Sequence, residues 1–252
     1  MPICGKLESS NLLCSPENYR RILETALDLN YCFVNFSEPH SAVNDQRMIL
    51  LRHDVDYSVE MAAELAELNA SCEVSGTFFV QLRSPIYNLF DPRNLACLQK
   101  ISDCKQKLGL HYYCSQEQLA IGGLGDLLAR DIDICERESG LRFERVIAWH
   151  NPAAELIKNE AILKGTGLKS AYAHPFFKDG HYFADSNLRN APQDFINVLE
   201  AKKMSFLQFL FHPFYWILGG NVVSDILKQT MKQIIAEKER EFFANPNWLG
   251  RS

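Results

Sequence analysis

The sequence predicts an α/β protein, specifically a distorted seven-stranded (β/α) barrel with an N-terminal helical segment, and three observations carry that expectation. From Met48 onward short β-rich runs alternate with longer helical patterns, as βα units around a parallel sheet or barrel do. Asp and His recur where those runs end, and in such barrels the C-terminal strand ends converge on one mouth. At 252 residues the chain has a length at which these barrels form one domain. No internal repeat, low-complexity tract or Gly/Ser/Pro linker divides it. It reads as a single domain over residues 1–252: a helical segment at 1–47, the barrel at 48–216 and a C-terminal helix at 217–252.

Ser15-Pro16 supplies a cap and a rigid first turn for a helix running to about Leu29, expected to cover one end of the barrel. Seven runs follow as strands: Met48 to Arg52, Val74 to Gln81, Leu108 to Tyr113, Val146 to His150, Ser170 to His174, His181 to Ala184 and Phe206 to Phe211. Between them Ser58 can cap the helix of VEMAAELAEL, Asp91-Pro92 can start another, and Ser115 with Gln118 forms a capping box. The GGLG segment at 122–125 lacks a strand before it and a Lys-Ser/Thr after it, so it reads as a helix break and not as a phosphate loop. Val222 to about Phe243 reads as the last helix, ending in a charged EKEREFF stretch that forms a solvated face.

Composition narrows the function classes. The formal charge is −5 and no Lys/Arg run exceeds two residues, so the electrostatic footprint of a nucleic-acid binder is missing. No apolar run is long enough to span a bilayer, and the first residues show neither a basic n-region nor an apolar h-region, which gives a cytoplasmic expectation. None of the eight cysteines forms a CxxC, and free, mostly buried thiols are expected.

The polar residues at strand ends are the informative feature: RHDVD, GLHYY, IAWHNP, FADS and FLFHPFYW. In an extended segment residues two apart share a face, so Asp54 and Asp56 can point into one cavity. Two carboxylates so close either cap the turn into Ser58 or need a cation between them. Carboxylate oxygen with imidazole nitrogen is an ordinary ligand set for zinc or a similar first-row ion. His111, His150 and His212, each bland alone as a core histidine, join Asp54, Asp56 and Asp185 at five strand ends, which favours a site. His53 should alternate away from Asp54, and His40 precedes the barrel; both read as structural. His174 and His181 flank the HPFFKDGH loop and are weaker candidates to line a cleft.

LLRHDVDYS followed by a helix, then GTFFV, GLHYY and a late FHPFYW, resembles the polysaccharide deacetylases of carbohydrate esterase family four, the NodB-homology group, and especially its divergent WbmS-like branch. The resemblance runs from about Met48 to Trp216. It implies one divalent ion, zinc above all, and hydrolysis of an N- or O-acetyl group on a saccharide. By position Asp54 resembles the family's base, Asp56 and His111 its ligands, and His212 its general acid. Two departures stand out. Ser115 occupies the position of the usual second histidine, and WHNP places His150 where an arginine is usual. The resemblance therefore leaves His150 either as the missing ligand, which is favoured, or as the group orienting Asp54. Asp185 would charge and orient His212. Tyr57, Trp149, Tyr215 and Trp216 suit stacking on sugar faces or, equally, a place in the core or rim. The substrate expected is an acetylated sugar precursor of surface polysaccharide, with no nucleic-acid or membrane partner. A non-catalytic saccharide-binding barrel and a hydrolase of a non-sugar amide are the alternatives.

Overall fold

Strict alternation along nearly every strand sorts side chains between an apolar outer layer and a barrel interior, and this places the polar residues. The computed structural model describes residues 13–37, 47–115, 117–118, 123–151, 156–157, 160–177 and 181–244. The elements are α1 (Pro16–Asp28), β1 (Tyr31–Val34), β2 (Arg47–Val55), α2 (Val59–Ser71), β3 (Thr77–Val80), α3 (Pro92–Asp103), β4 (Lys107–Tyr113), α4 (Leu124–Ser139), β5 (Phe143–His150), β6 (Lys169–Ser170), β7 (Tyr182–Ala184), α5 (Pro192–Ala201), β8 (Phe206–Phe211), α6 (Pro213–Leu218) and α7 (Val223–Phe243). Short 3-10 turns occupy Glu160–Leu163 and Ser186–Leu188.

Seven parallel strands run in the order β6-β5-β4-β3-β2-β8-β7 and curl into a distorted barrel. Among the described residues no pairing joins β6 to β7, so the barrel is open there. β1 is an eighth strand that the sequence pattern does not reveal. β2 is nine residues long and β3 only four; β3 pairs with Arg52 to Val55, which leaves Arg47 to Leu50 free to pair with β1. The run expected from Ser170 to His174 is extended only at Lys169–Ser170, because Ala173 and Phe176 close turns onto the carbonyls of Ser170 and Ala173.

Caps act as their sequences imply. Ser15 and Ser58 accept hydrogen bonds from the backbone N–H groups of Asn18 and Met61, and Asp91 from that of Arg93. Ser115 and Gln118 exchange the two bonds of a capping box at 3.0 and 3.2 Å. Gly123, at φ +70, stands at the N-cap of α4, so the GGLG segment starts a helix; residues 121 and 122 lie outside those described.

The buried positions of α1, Tyr19, Ile22, Leu23 and Ala26, fall at helical spacing and face the outer side of the sheet. The helix therefore lies in the helical layer beside α2, α5 and α6 and does not cover an end of the barrel. Ile49, Leu51, Phe78, Leu110, Ile147, Phe209 and Phe211 point outward to the helical layer, in which α3 and α4 cover β4 and β5. Leu50, Phe79, Val146, Ala148, Ala171 and Phe176, with Phe36, pack inside as an apolar plug. The seven described cysteines are free thiols, and no described helix is long and apolar enough to cross a membrane.

Gly109 on β4 shows how tight the interior is. A Cβ there would meet the Phe79 ring at 2.5 Å. Gly109→Ala should overpack the barrel and destabilise the fold by about 1–3 kcal/mol, measurable as a lower urea midpoint at unchanged slope.

Candidate active site

Above the apolar plug the inward positions turn polar. Along β2 the sequence Leu50, Arg52, Asp54 climbs one face, and Asp56 continues it just past the strand. His111 stands on the inward column of β4, one step before Tyr113, His150 ends that of β5, and His212 follows β8 as the residue before α6. Strand register brings these ends level: His53 pairs with Phe211, and Tyr113 with His150.

Three donor atoms converge. Asp56 Oδ1 lies 3.1 Å from His111 Nε2 and 3.1 Å from His150 Nδ1, and the two nitrogens are 3.0 Å apart. His111 Nδ1 is 2.9 Å from the Ala148 carbonyl oxygen, which can only accept, so Nδ1 carries a proton and Nε2 is the atom turned to the site. A carboxylate oxygen and imidazole nitrogens at edges near the roughly 3.3 Å of a tetrahedral N/O shell form a donor set that fits a first-row divalent ion. These are the only three described residues whose ligand atoms cluster in this way. His150 thus stands among the donor atoms, and not behind Asp54.

The group behind Asp54 is Arg52, which the sequence reading does not single out. Its guanidinium is fully buried and forks onto the Asp54 carboxylate at 2.7 and 2.6 Å. It is sandwiched against Tyr172, 4.7 Å from the ring centroid, and Phe79, 5.6 Å. Burial alone would raise the Asp54 pKa; Arg52 first, then the neighbouring His111 and His212, reverse this and lower it. Asp54 Oδ2 lies 3.8 Å from His111 Nε2, at the edge of the donor cluster.

A second dyad stands on the other side. His212 Nδ1–H donates to Asp185 Oδ1 at 2.5 Å, while the backbone N–H of His212 and the Trp216 indole N–H both donate to Oδ2, at 2.8 and 2.7 Å. Asp185 is wholly buried. Burial opposes the His212 charge, but Asp185, with Asp56 and Asp54 beyond, lifts its pKa to about 9. His212 Nε2 points to the cluster, 3.8 Å from Asp56 Oδ2. Burial also disfavours the Asp56 anion, yet hydrogen bonds from His111 and His150 and the charge of His212 hold its carboxyl well below the usual range.

The four aromatic candidates are buried or half-buried. Trp149 is 2% exposed, packs in the outer layer and donates from its indole to Ser170; Trp216 is 0% exposed among Tyr19, Phe195 and Phe211. Trp216 lies away from the cleft, while Trp149, though buried, borders it. Tyr57 stacks edge-on to Phe214 beside a separate cavity under α7, and Tyr215 is buried beside His212. Tyr172 and Tyr182 line the cleft of about 580 Å³ that holds Asp54, Asp56 and His212. His53 is a core residue, stacked on Phe78 and bonded to Tyr19, with burial pushing its pKa down to about 3. His174 and His181 are not among the cleft residues, and His40 lies outside those described.

No family model and no curated protein sequence matches the chain. Solved structures share its general path. A CE4 family pseudoenzyme from Bacillus anthracis aligns at 17% identity over 76% of this chain and 61% of that one, with a TM-score of 0.46. A peptidoglycan deacetylase from Bdellovibrio bacteriovorus aligns at 13% over 82% and 53%, TM-score 0.45. A chitin deacetylase from the fungus Colletotrichum lindemuthianum aligns at 15% over 74% and 81%, TM-score 0.46. This chain spans less than two thirds of the first two, and at such similarity any functional reading rests on the site itself.

Two outcomes follow from the dyads. Arg52→Met strips the partner from a buried carboxylate and should cost about 3–5 kcal/mol in denaturant unfolding. His212, whose folded pKa is raised, lends stability that is full below its ordinary value of 6.5 and fades as pH rises through about 9. In metal-free protein the urea midpoint should therefore fall between those pH values, and Asp185→Asn should flatten that slope.

Proposed function

We propose that the chain is a metal-dependent deacetylase of the polysaccharide deacetylase type, close to the WbmS-like branch, which hydrolyses an N- or O-acetyl group on a saccharide. One observation carries the reading: a three-donor cluster of Asp56, His111 and His150 lies between two opposed dyads, Arg52–Asp54 and Asp185–His212. An acyl transfer to water needs both a proton acceptor and a proton donor, held in opposite states at one pH. Asp54 is kept anionic by Arg52, and His212 is kept cationic by Asp185.

Asp56 Oδ1, His111 Nε2 and His150 Nδ1 would hold one divalent ion, zinc by preference for this N/O set. Bound there, it supplies Lewis acidity to the acyl carbonyl and to the attacking water. Asp54 takes the proton of that water on the carboxylate that Arg52 holds in place. His212 gives the Nε2 proton to the departing amine or alkoxide, and Asp185 steadies the imidazolium before transfer and fixes the ring's heading throughout. The apolar plug and the surrounding β-strands seal the floor of the cleft, which strengthens each of these charges. Free thiols throughout the described chain support a reducing compartment, and with it action on a cytoplasmic sugar precursor.

The two aspartates separate by role. Asp56→Asn should lower metal stoichiometry, measured by elemental analysis, and acetate release together. Asp54→Asn and His212→Ala should keep the ion and lose roughly 10²- to 10⁴-fold in kcat. Loss of the ion from Asp54→Asn but not from Asp56→Asn would reverse the assignment, and protein that binds no divalent ion at all would end it.

A further inference from the structure

We infer that the saccharide carries an oxyanion, a carboxylate or a phosphate, and that Arg189 on the cleft wall selects it. The inference rests on the hydrolytic reading above and adds the substrate's charge to it. Within the site every carboxylate is already matched. Asp54 is bound by Arg52, Asp185 by His212, and Asp56 by the two imidazoles of the donor cluster. Arg189 also lines the cleft, and no carboxylate of the described residues lies within ion-pair distance of it. Arg189 is exposed at the cleft, and the described residues supply no complement to its charge; a guanidinium fork matches the planar geometry of a carboxylate or phosphate.

The segment that presents Arg189 is built for that position. Asn187 and Leu188 both hold left-handed backbone, at φ 55° and 53°. For leucine that conformation is uncommon and is kept only where surrounding structure enforces it. The enforcing contacts are at hand. Leu188 N–H donates to the Asp185 carbonyl at 2.7 Å, and the Asn190 side-chain amide donates to the Ala184 carbonyl at 2.8 Å. The Arg189 backbone is therefore held through the same residue that orients His212, and its side chain is exposed at the cleft.

Sheet order says which part of the substrate it meets. The donor cluster comes from β2, β4 and β5, His212 follows β8, and the Arg189 segment follows β7, which pairs with β8 on the side away from β2. Arg189 therefore follows the strand next to the one that carries the proton donor, so the part of the substrate that takes the His212 proton is within its neighbourhood. The part that takes that proton is the sugar, so the oxyanion is assigned to the sugar.

Acetate release and equilibrium binding are to be measured side by side for neutral N-acetylglucosamine, for N-acetylmuramic acid as the carboxylate probe, and for UDP-N-acetylglucosamine as the phosphate probe. At least one anionic probe should bind the wild-type protein roughly tenfold more tightly than the neutral sugar, the size expected of a charge-assisted hydrogen bond in a partly solvated cleft. Arg189→Gln should remove most of that preference, through KM more than kcat where turnover occurs, and Arg189→Lys should restore part of it. The probe that responds tells carboxylate from phosphate. Equal binding of all three, or an anionic preference untouched by Arg189→Gln, would overturn the inference whether or not acetate is released. Absence of acetate release alongside an Arg189-dependent binding preference would instead overturn the hydrolytic reading and leave the anion subsite standing.

Discussion

A carboxylate cannot stay ionised inside a barrel without a fixed cation beside it, and the rest of the site is arranged around that constraint. β2 meets it within its own length. Leu50 seals the floor, Arg52 rises above it between two aromatic rings, and Asp54 sits on the guanidinium fork. Desolvation of two charges is costly, and a buried pair is a poor source of stability. It is a good source of definition, because a forked contact fixes both distance and plane. Two residues on, Asp56 reaches the mouth with a different set of partners, two imidazoles.

Each acidic group in the site therefore has its own partner of its own chemistry: a permanent cation for Asp54, imidazole nitrogens for Asp56, and an imidazolium for Asp185. This division lets two carboxylates share one small cleft, with the third buried behind His212, without sharing protons. Had Asp54 and Asp56 faced each other alone, one would have been forced toward the neutral form.

Much of this was legible in the sequence, and period-two alternation explains both what was read and what was missed. Followed forward along RHDVD, it puts Asp54 and Asp56 on one face and His53 on the other, as found. Followed backward it would have reached Arg52, which shares that parity. The same rule sends Trp149 outward when His150 points in, so its indole belongs to the outer layer. Other features lie beyond any local pattern. Tyr172 enters the cleft only because the segment after β6 turns back and does not run on as a strand, whereas Tyr182 stands on β7. Arg189 acquires its setting from a left-handed turn with no glycine in it. β1 exists because one edge of β2 outruns its neighbour, a fact about lengths of distant elements and not about YCFV itself.

Asp185 is fastened on three sides, by the backbone and ring of His212 and by the indole of Trp216, which in turn packs on Tyr19 of α1 and Phe211 of β8. The heading of the proton donor is thus inherited from the packing of the outer layer. Chemistry and architecture share a single bolt, so neutral drift in that part of the core is narrowed: a lineage that loosens the tryptophan also swings the imidazole, and the two must evolve as one character.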